Sequence, residues 1–329
     1  MKHGSVEKPG KAPRSVTQCG RRLCSPLSEP SLKHPFLSFA AALAVLLPFH
    51  AGAQSSIVAF GDSLSDNGKY STATSGPTTN PSSQISGPWV KQLADQLDLP
   101  LVASDEGGTN YAQGGSVTAD MTNQVNAYLT AHPTASSTAL YVLWGGGNDI
   151  HHKAMDNPFD SAGIKAVATK AVSNIEGQIR KLVAAGAKRV LWVNMPPLHK
   201  TPAALSIPFG LGSSVLSPPS SQFNTLWSQS LTKLRGEFPS VTFIGMNAYN
   251  KFNAIIAAPS AYGLTNVTGT CKGKAVNPDK YLFWDEIHPT SYSHRIFANY
   301  AYDLVSDAFG FSAGFTADEW TVEEWSAQP

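Results

Sequence analysis

After residue 56 the sequence alternates short apolar runs with longer amphipathic stretches, and this alternation restricts the fold more than any other feature. The runs at 57–60, 99–103, 139–144, 188–194 and 240–245 are strand candidates, with charge confined to the entry of the fourth. Strands that are apolar on both faces need cover on both sides, as in parallel sheets built from βα units. The pattern therefore predicts an α/β fold of three layers, with a mostly parallel five-stranded sheet between helices. The clearest helix covers 161–185, with Ile164, Val167, Ala168, Ala171, Ile175, Ile179, Leu182 and Val183 on one stripe and Gly186 as its stop. A last helix at about 291–309 would turn Ile296, Tyr300, Leu304 and Ala308 inward. Three stretches read as long loops: 69–87, rich in Ser, Thr, Pro and Gly; 196–220, rich in Pro and small apolar residues; and 259–283. Loops of that length in a compact domain are usually functional or disordered, and their position after strand ends favours function.

The chain has 329 residues, 42% of them hydrophobic, which is enough for one sizeable core. The apolar run at 36–49 is too short to span a membrane, and Ala51-Gly52-Ala53 follows it with the small residues that a signal peptidase reads. Residues 1–53 are accordingly expected to be a secretory signal with a long basic lead. Cleavage near Ala53 would release an extracellular or periplasmic protein. Arg21-Arg22 raises a twin-arginine route, but Leu23-Cys24 fits it weakly, and the general secretory route is favoured. An uncleaved segment would act as a membrane anchor instead. The expected organisation is then a catalytic domain at 54–315 and a short acidic tail at 316–329. Without residues 1–53, 17 basic and 21 acidic residues remain, a net charge of −4, which argues against a nucleic-acid partner. Cys271 is the cysteine left after cleavage, and a lone thiol supports neither an intramolecular disulfide nor a metal cluster. It reads as a small buried hydrophobe.

Four short blocks carry chemistry. In Phe60-Gly61-Asp62-Ser63-Leu64-Ser65-Asp66, Gly61 breaks the first strand and leaves Ser63 at its carboxyl end, where open α/β sheets place their ligand crevices. A serine hydroxyl needs a base to become a nucleophile. Asp285-Glu286-Ile287-His288-Pro289-Thr290 supplies one: His288 would take the proton, and Asp285, three residues earlier, can fold back to hold the other ring nitrogen. Pro289 disfavours helical geometry at His288 and so places it in the turn before the last helix. Acyl transfer also needs donors for an oxyanion. Asn110-Tyr111-Ala112-Gln113-Gly114-Gly115 offers a glycine N–H, and Gly145-Gly146-Gly147-Asn148-Asp149 offers a side-chain amide. Each block alone has an ordinary explanation: a tight turn, a helix cap or a surface ion pair. Together they fall at strand ends or before a helix, on the same side of one sheet.

These blocks resemble those of the SGNH (GDSL) hydrolase family of lipases and esterases, over nearly the whole of residues 57–309. Asn194-Met195-Pro196-Pro197-Leu198 is similar to a segment of its secreted, phospholipase-like branch. The resemblance implies a flavodoxin-like sheet, Ser63 as nucleophile, His288 as base and Asp285 as its orienter. It also implies an oxyanion hole from Ser63 N–H, Gly115 and Asn148. The expected function is a secreted ester hydrolase acting through an acyl-enzyme on lipid or short-chain acyl esters. It would act without a cofactor or metal, as a monomer, and with transient contact to a membrane surface. The apolar stretch 203–216 is placed to cover an acyl chain. The same residues would serve an acyltransferase, a lysophospholipase or a polysaccharide O-acetylesterase. A secreted binding module that has lost catalysis is the reading from another class, and the intact Ser63, Asp285 and His288 oppose it.

Other motifs fail. Ser65 stands where a Gly-x-Ser-x-Gly elbow needs its second glycine, and residue 150 is not the third glycine of a dinucleotide loop. His151-His152 are neighbours that would point apart on a regular element, so a solvated loop is the simpler expectation.

Overall fold

A computed structural model describes residues 54–68 and 86–310. The expected signal segment 1–53, most of the 69–87 loop and the acidic tail lie outside the described residues. Four parallel strands form the main sheet in the order β1 (Ile57–Gly61), β2 (Leu140–Trp144), β3 (Arg189–Val193) and β4 (Thr242–Met246). Their register sets Phe60 opposite Leu143, Leu143 opposite Trp192, and Trp192 opposite Gly245.

Alternate strand residues enter two separate cores, as the two-residue side-chain period of a strand requires. Val58, Phe60, Tyr141, Leu143, Val190 and Trp192 face one of them. That face is covered mainly by α2 (Met121–Ala131), α4 (Ser161–Ala184) and α6 (Leu211–Glu237). Ile57, Ala59, Leu140, Val142, Leu191 and Val193 face the other. There α1 (Trp89–Gln96), α7 (Ala248–Ala257) and α8 (Ser291–Phe309) pack. Two further helices, α3 (Gly147–Asp156) and the short α5 (Pro202–Ser206), follow the carboxyl ends of β2 and β3. The three-layer α/β expectation holds.

The fifth strand does not form. The stretch 99–103 makes a single bridge, Ala103 to Asn110, and Asn110 in turn bridges Ala59 on the free edge of β1. Pro100, the second residue of this five-residue run, lacks an N–H, so a continuous ladder has no donor there. Asn110 thus marks where an edge strand would lie, beside β1 and opposite β2.

Two expected loops are instead ordered elements. The 259–283 region contains β5 (Asn266–Thr270) and β6 (Tyr281–Phe283), paired as a small second sheet. The 196–220 region holds a short turn at Leu198–Lys200, then α5, then the start of α6. Pro202 occupies the first position of α5, where its missing N–H costs nothing, and Thr201 caps it by accepting from Ala204 N–H. Pro218 and Pro219 lie inside α6, and tertiary packing overrides their breaking tendency. Leu216, Pro219, Ser220 and Phe223 are all buried there, and Ser220 Oγ donates to Leu216 O at 2.7 Å.

The long helix ends as expected before Gly186, but the inner stripe of α8 is displaced by one position. Phe297, Ala298, Ala301 and Val305 are buried, whereas Ile296, Tyr300 and Leu304 are half-buried and Ala308 is exposed. One residue is 100° around a helix, so aromatic bulk at Tyr300 drew the expected face away from the smaller residues that pack closest. Cys271 is a buried free thiol, raised to about 11 by burial.

Candidate active site

β1 ends at Gly61 with φ +153°, and a Cβ there would lie 2.1 Å from Trp144 O of the neighbouring strand. Glycine is therefore required for the chain to leave the sheet at this point. Gln124 of α2 fixes the exit, accepting from Gly61 N–H with Oε1 and donating to Gly61 O with Nε2, both at 2.8 Å. The chain then closes a turn in which Ser65 and Asp66 N–H donate to Asp62 O at 3.0 and 3.1 Å. Ser63 sits within that turn, 8% exposed.

The other half of the site follows β6. Trp284 N–H donates to His288 O at 2.8 Å, closing the turn 285–287. Asp285 Oδ1 accepts from Ile287 N–H (3.1 Å), His288 N–H (2.8 Å) and His288 Nδ1 (2.9 Å), and Oδ2 lies 3.0 Å from the same ring nitrogen. A carboxylate only accepts, so Nδ1 carries the ring proton and Nε2 is left as an acceptor. Ser63 Oγ lies 2.9 Å from Nε2 and donates to it. Burial pushes the Asp285 carboxyl up, but the hydrogen bond and charge of His288, with the two backbone N–H groups, outweigh this and hold it below the usual range. The serine, histidine and aspartate expected from opposite ends of the chain thus form one hydrogen-bonded line.

Asn148 lies in the first turn of α3, after Gly146, whose φ of +104° and closeness to Phe223 again exclude a side chain. Its Nδ2 donates to Ser116 O at 2.9 Å, which fixes the amide and leaves its second N–H free to donate. Gly115, at φ +80°, is itself exposed and lies on the turn 113–116, closed by Ser116 N–H donating to Gln113 O. Among the described residues nothing accepts from the N–H of Ser63 or of Gly115. Ser63, Asn148 and His288 line one cavity of about 70 Å³, while Gly115 stands one residue from the carbonyl that Asn148 holds. The far walls are apolar, from Leu198, Leu216, Phe252, Phe283 and Ile287.

Several residues of the quoted blocks have supporting roles that the sequence reading did not assign. Asp66 accepts from Gly114 N–H at 2.7 Å and so ties the serine turn to the glycine turn. Asn110 Nδ2 donates to Ser65 O at 2.7 Å, adding a second tie. Asp149 accepts from both Thr118 N–H and Thr118 Oγ1. Asp62 is buried at the cavity and its carboxyl is pushed up to about 6, foremost by burial. His151 and His152 belong to α3 and not to a solvated loop, and His151 lines the cavity. Burial and the neighbouring His152 hold the His151 imidazole below its usual range. Among the described residues no three His, Cys, Asp or Glu side chains converge on a metal-sized site.

Comparison with known proteins covers most of the described chain. Residues 57–301 match the GDSL-like lipase/acylhydrolase family. Lipase 1 of Photorhabdus luminescens is 34% identical over 181 residues, which is 53% of this chain and 27% of that protein. Esterase EstA of Pseudomonas aeruginosa is 27% identical over 317 residues, 77% of this chain and 47% of that protein. This chain therefore spans less than half the length of either relative. The acetylxylan esterase Axe2 of Geobacillus stearothermophilus overlays 80% of this chain and 99% of its own, with a TM-score of 0.48 and 15% identity. The family match begins at the first residue of β1 and ends within α8, so it takes in both the serine turn and the histidine turn. By that match the chain belongs to the GDSL-like lipase/acylhydrolase family.

Proposed function

We propose that the protein is a secreted serine ester hydrolase that cleaves short-chain acyl esters through an acyl-enzyme. The observation that carries this reading is the line from Ser63 Oγ through His288 to Asp285, with its tautomer fixed. Ser63 Oγ attacks the ester carbonyl carbon while His288 Nε2 takes its proton, and Asp285 stabilises the imidazolium that results. The carbonyl oxygen gains charge and is met by the N–H groups of Ser63 and Gly115 and by the amide of Asn148. Collapse expels the alcohol, which leaves with the proton from His288. Water, activated by the same base, then releases the acid and restores Ser63.

The small apolar cavity supports acetyl to butyryl groups over long chains. Transient contact with a lipid surface is part of the reading, supported by the exposed side chains of Leu205, Ile207, Phe209 and Leu211. They follow Thr201 and precede Leu216, both on the cavity wall. Secretion rests on the apolar run at 36–49 and on Ala51-Gly52-Ala53. The test is hydrolysis of p-nitrophenyl esters from acetate to palmitate by the wild type and Ser63→Ala. Turnover that peaks at short chains and vanishes in a folded Ser63→Ala protein is expected. Turnover retained in that variant overturns the assignment, and an optimum at palmitate overturns the short-chain preference.

A further inference from the structure

Lys200 is the lysine on a largely apolar cavity lining, and the chemistry above gives it no task. It ends the turn Leu198–Lys200, and its Nζ donates to Asn253 Oδ1 of α7 at 2.7 Å. That bond fixes the ammonium and uses one of its three N–H groups, leaving two for another acceptor. Among the described residues no carboxylate lies within ion-pair distance of it. Asp62, also on the lining, is occupied through Oδ1 by Leu64 N–H.

Lys200 is half-buried and shares the cavity lining with Phe252, Phe283 and Ile287, so an anion brought to its ammonium there would be attracted more strongly than in water. We propose that Lys200 is a specificity residue that recognises an anionic group, a carboxylate or phosphate, on the ester substrate. The proposal rests on the ester-hydrolase reading and adds a class of substrate to it. The anion would lie on the acyl part or on the alcohol part, and the experiment separates the two.

The acyl arm compares p-nitrophenyl hemiglutarate with p-nitrophenyl valerate. The alcohol arm compares 4-acetoxybenzoate with 4-acetoxybenzamide. The readout in each arm is the anionic-to-neutral ratio of kcat/KM for wild type, Lys200→Met and Lys200→Arg. Lys200→Met is expected to lower that ratio about tenfold in one arm, with most of it kept by Lys200→Arg and the wild-type ratio shrinking in 0.5 M salt. A ratio that Lys200→Met leaves unchanged in both arms, while esters are turned over, overturns the proposal. Calorimetric binding of 4-acetoxybenzoate, 4-acetoxybenzamide and glutarate to Ser63→Ala, with and without Lys200→Met, separates binding from chemistry. Lys200-dependent anion binding to Ser63→Ala, found together with a wild type that hydrolyses no ester, supports the anion site and overturns the hydrolase reading. Anion binding that is absent, or independent of Lys200, overturns the proposal whatever the turnover.

Discussion

Asp149 grips Thr118 with both carboxylate oxygens, Oδ2 accepting from Thr118 N–H at 2.8 Å and Oδ1 from Thr118 Oγ1 at 2.7 Å. Asn174 Nδ2 donates to the same Thr118 hydroxyl at 2.9 Å. The first turn of α3 is thereby fastened to the segment that follows Gly115, and Asn148 fastens it again at Ser116 O. In the proposed mechanism the Gly-Asn-Asp block therefore has two tasks: it supplies the Asn148 amide to the oxyanion, and it positions the turn that carries Gly115.

Asp149→Asn should therefore slow catalysis without unfolding the protein. An asparagine turns an NH2 group toward one of the two Thr118 donors, so one hydrogen bond is lost and the glycine turn loosens. Small misplacements of reacting groups cost up to about 100-fold, and a fall of roughly 10- to 100-fold in kcat is expected. KM should change less, because Asp149 is not on the cavity wall. A kcat within twofold of wild type would show that Gly115 is held by other bonds.

The same logic of donors and acceptors applies at Asp285. Its two oxygens accept from Nδ1 of His288, which leaves Nε2 free to accept from Ser63. In Asp285→Asn, an amide facing the ring favours the tautomer with the proton on Nε2, which cannot receive the serine proton. A loss of about 10⁴ in kcat is expected, with the far-ultraviolet dichroism of the wild type. Activity within tenfold of wild type would mean that another group orients the ring.

Gly61→Ala tests the exit of β1. The added carbon would meet Trp144 O at 2.1 Å, in a backbone region where side chains are strained. The strands cannot separate cheaply, because Trp144 is buried and Gln124 binds both backbone groups of Gly61. A destabilisation of about 3 kcal/mol or more is expected from the urea midpoint. A variant of wild-type stability would show that the strand end relaxes.

How much of this was legible depended on distance along the chain. The serine turn and the Asp285–His288 turn are local: each follows from residues within three or four positions of one another. Pairing the two needed only the rule that strand ends share one side of a parallel sheet. The clamps join residues with no shared pattern, 63 positions apart for Gln124 and Gly61 and 31 for Asp149 and Thr118. Side-chain amides and carboxylates of this kind look like surface residues until the fold brings their partners. Proline misled in the opposite direction: Pro202, Pro218 and Pro219 marked a loop, yet one starts a helix and two are carried within another. Local punctuation lost there to the burial of Leu216 and Phe223.

Asp62 gives the last prediction a sign. Its carboxyl is raised from 3.8 to about 6, by burial first and by nearby Asp149, against the opposing pull of Leu64 N–H and His288. The folded state therefore holds a proton that the unfolded chain releases between 3.8 and about 6. Stability falls as pH rises through that window, and the penalty is complete above it. Asp62→Asn removes the ionisation while its Oδ1 can still accept from Leu64 N–H. Any loss from the substitution that is independent of pH cancels when the same pair of proteins is compared at two pH values. The variant should therefore gain about 2 kcal/mol relative to wild type between pH 4.5 and 7.5, measured by urea unfolding at each pH. A difference that stays constant between those values would mean that Asp62 ionises in the fold as it does in the unfolded chain.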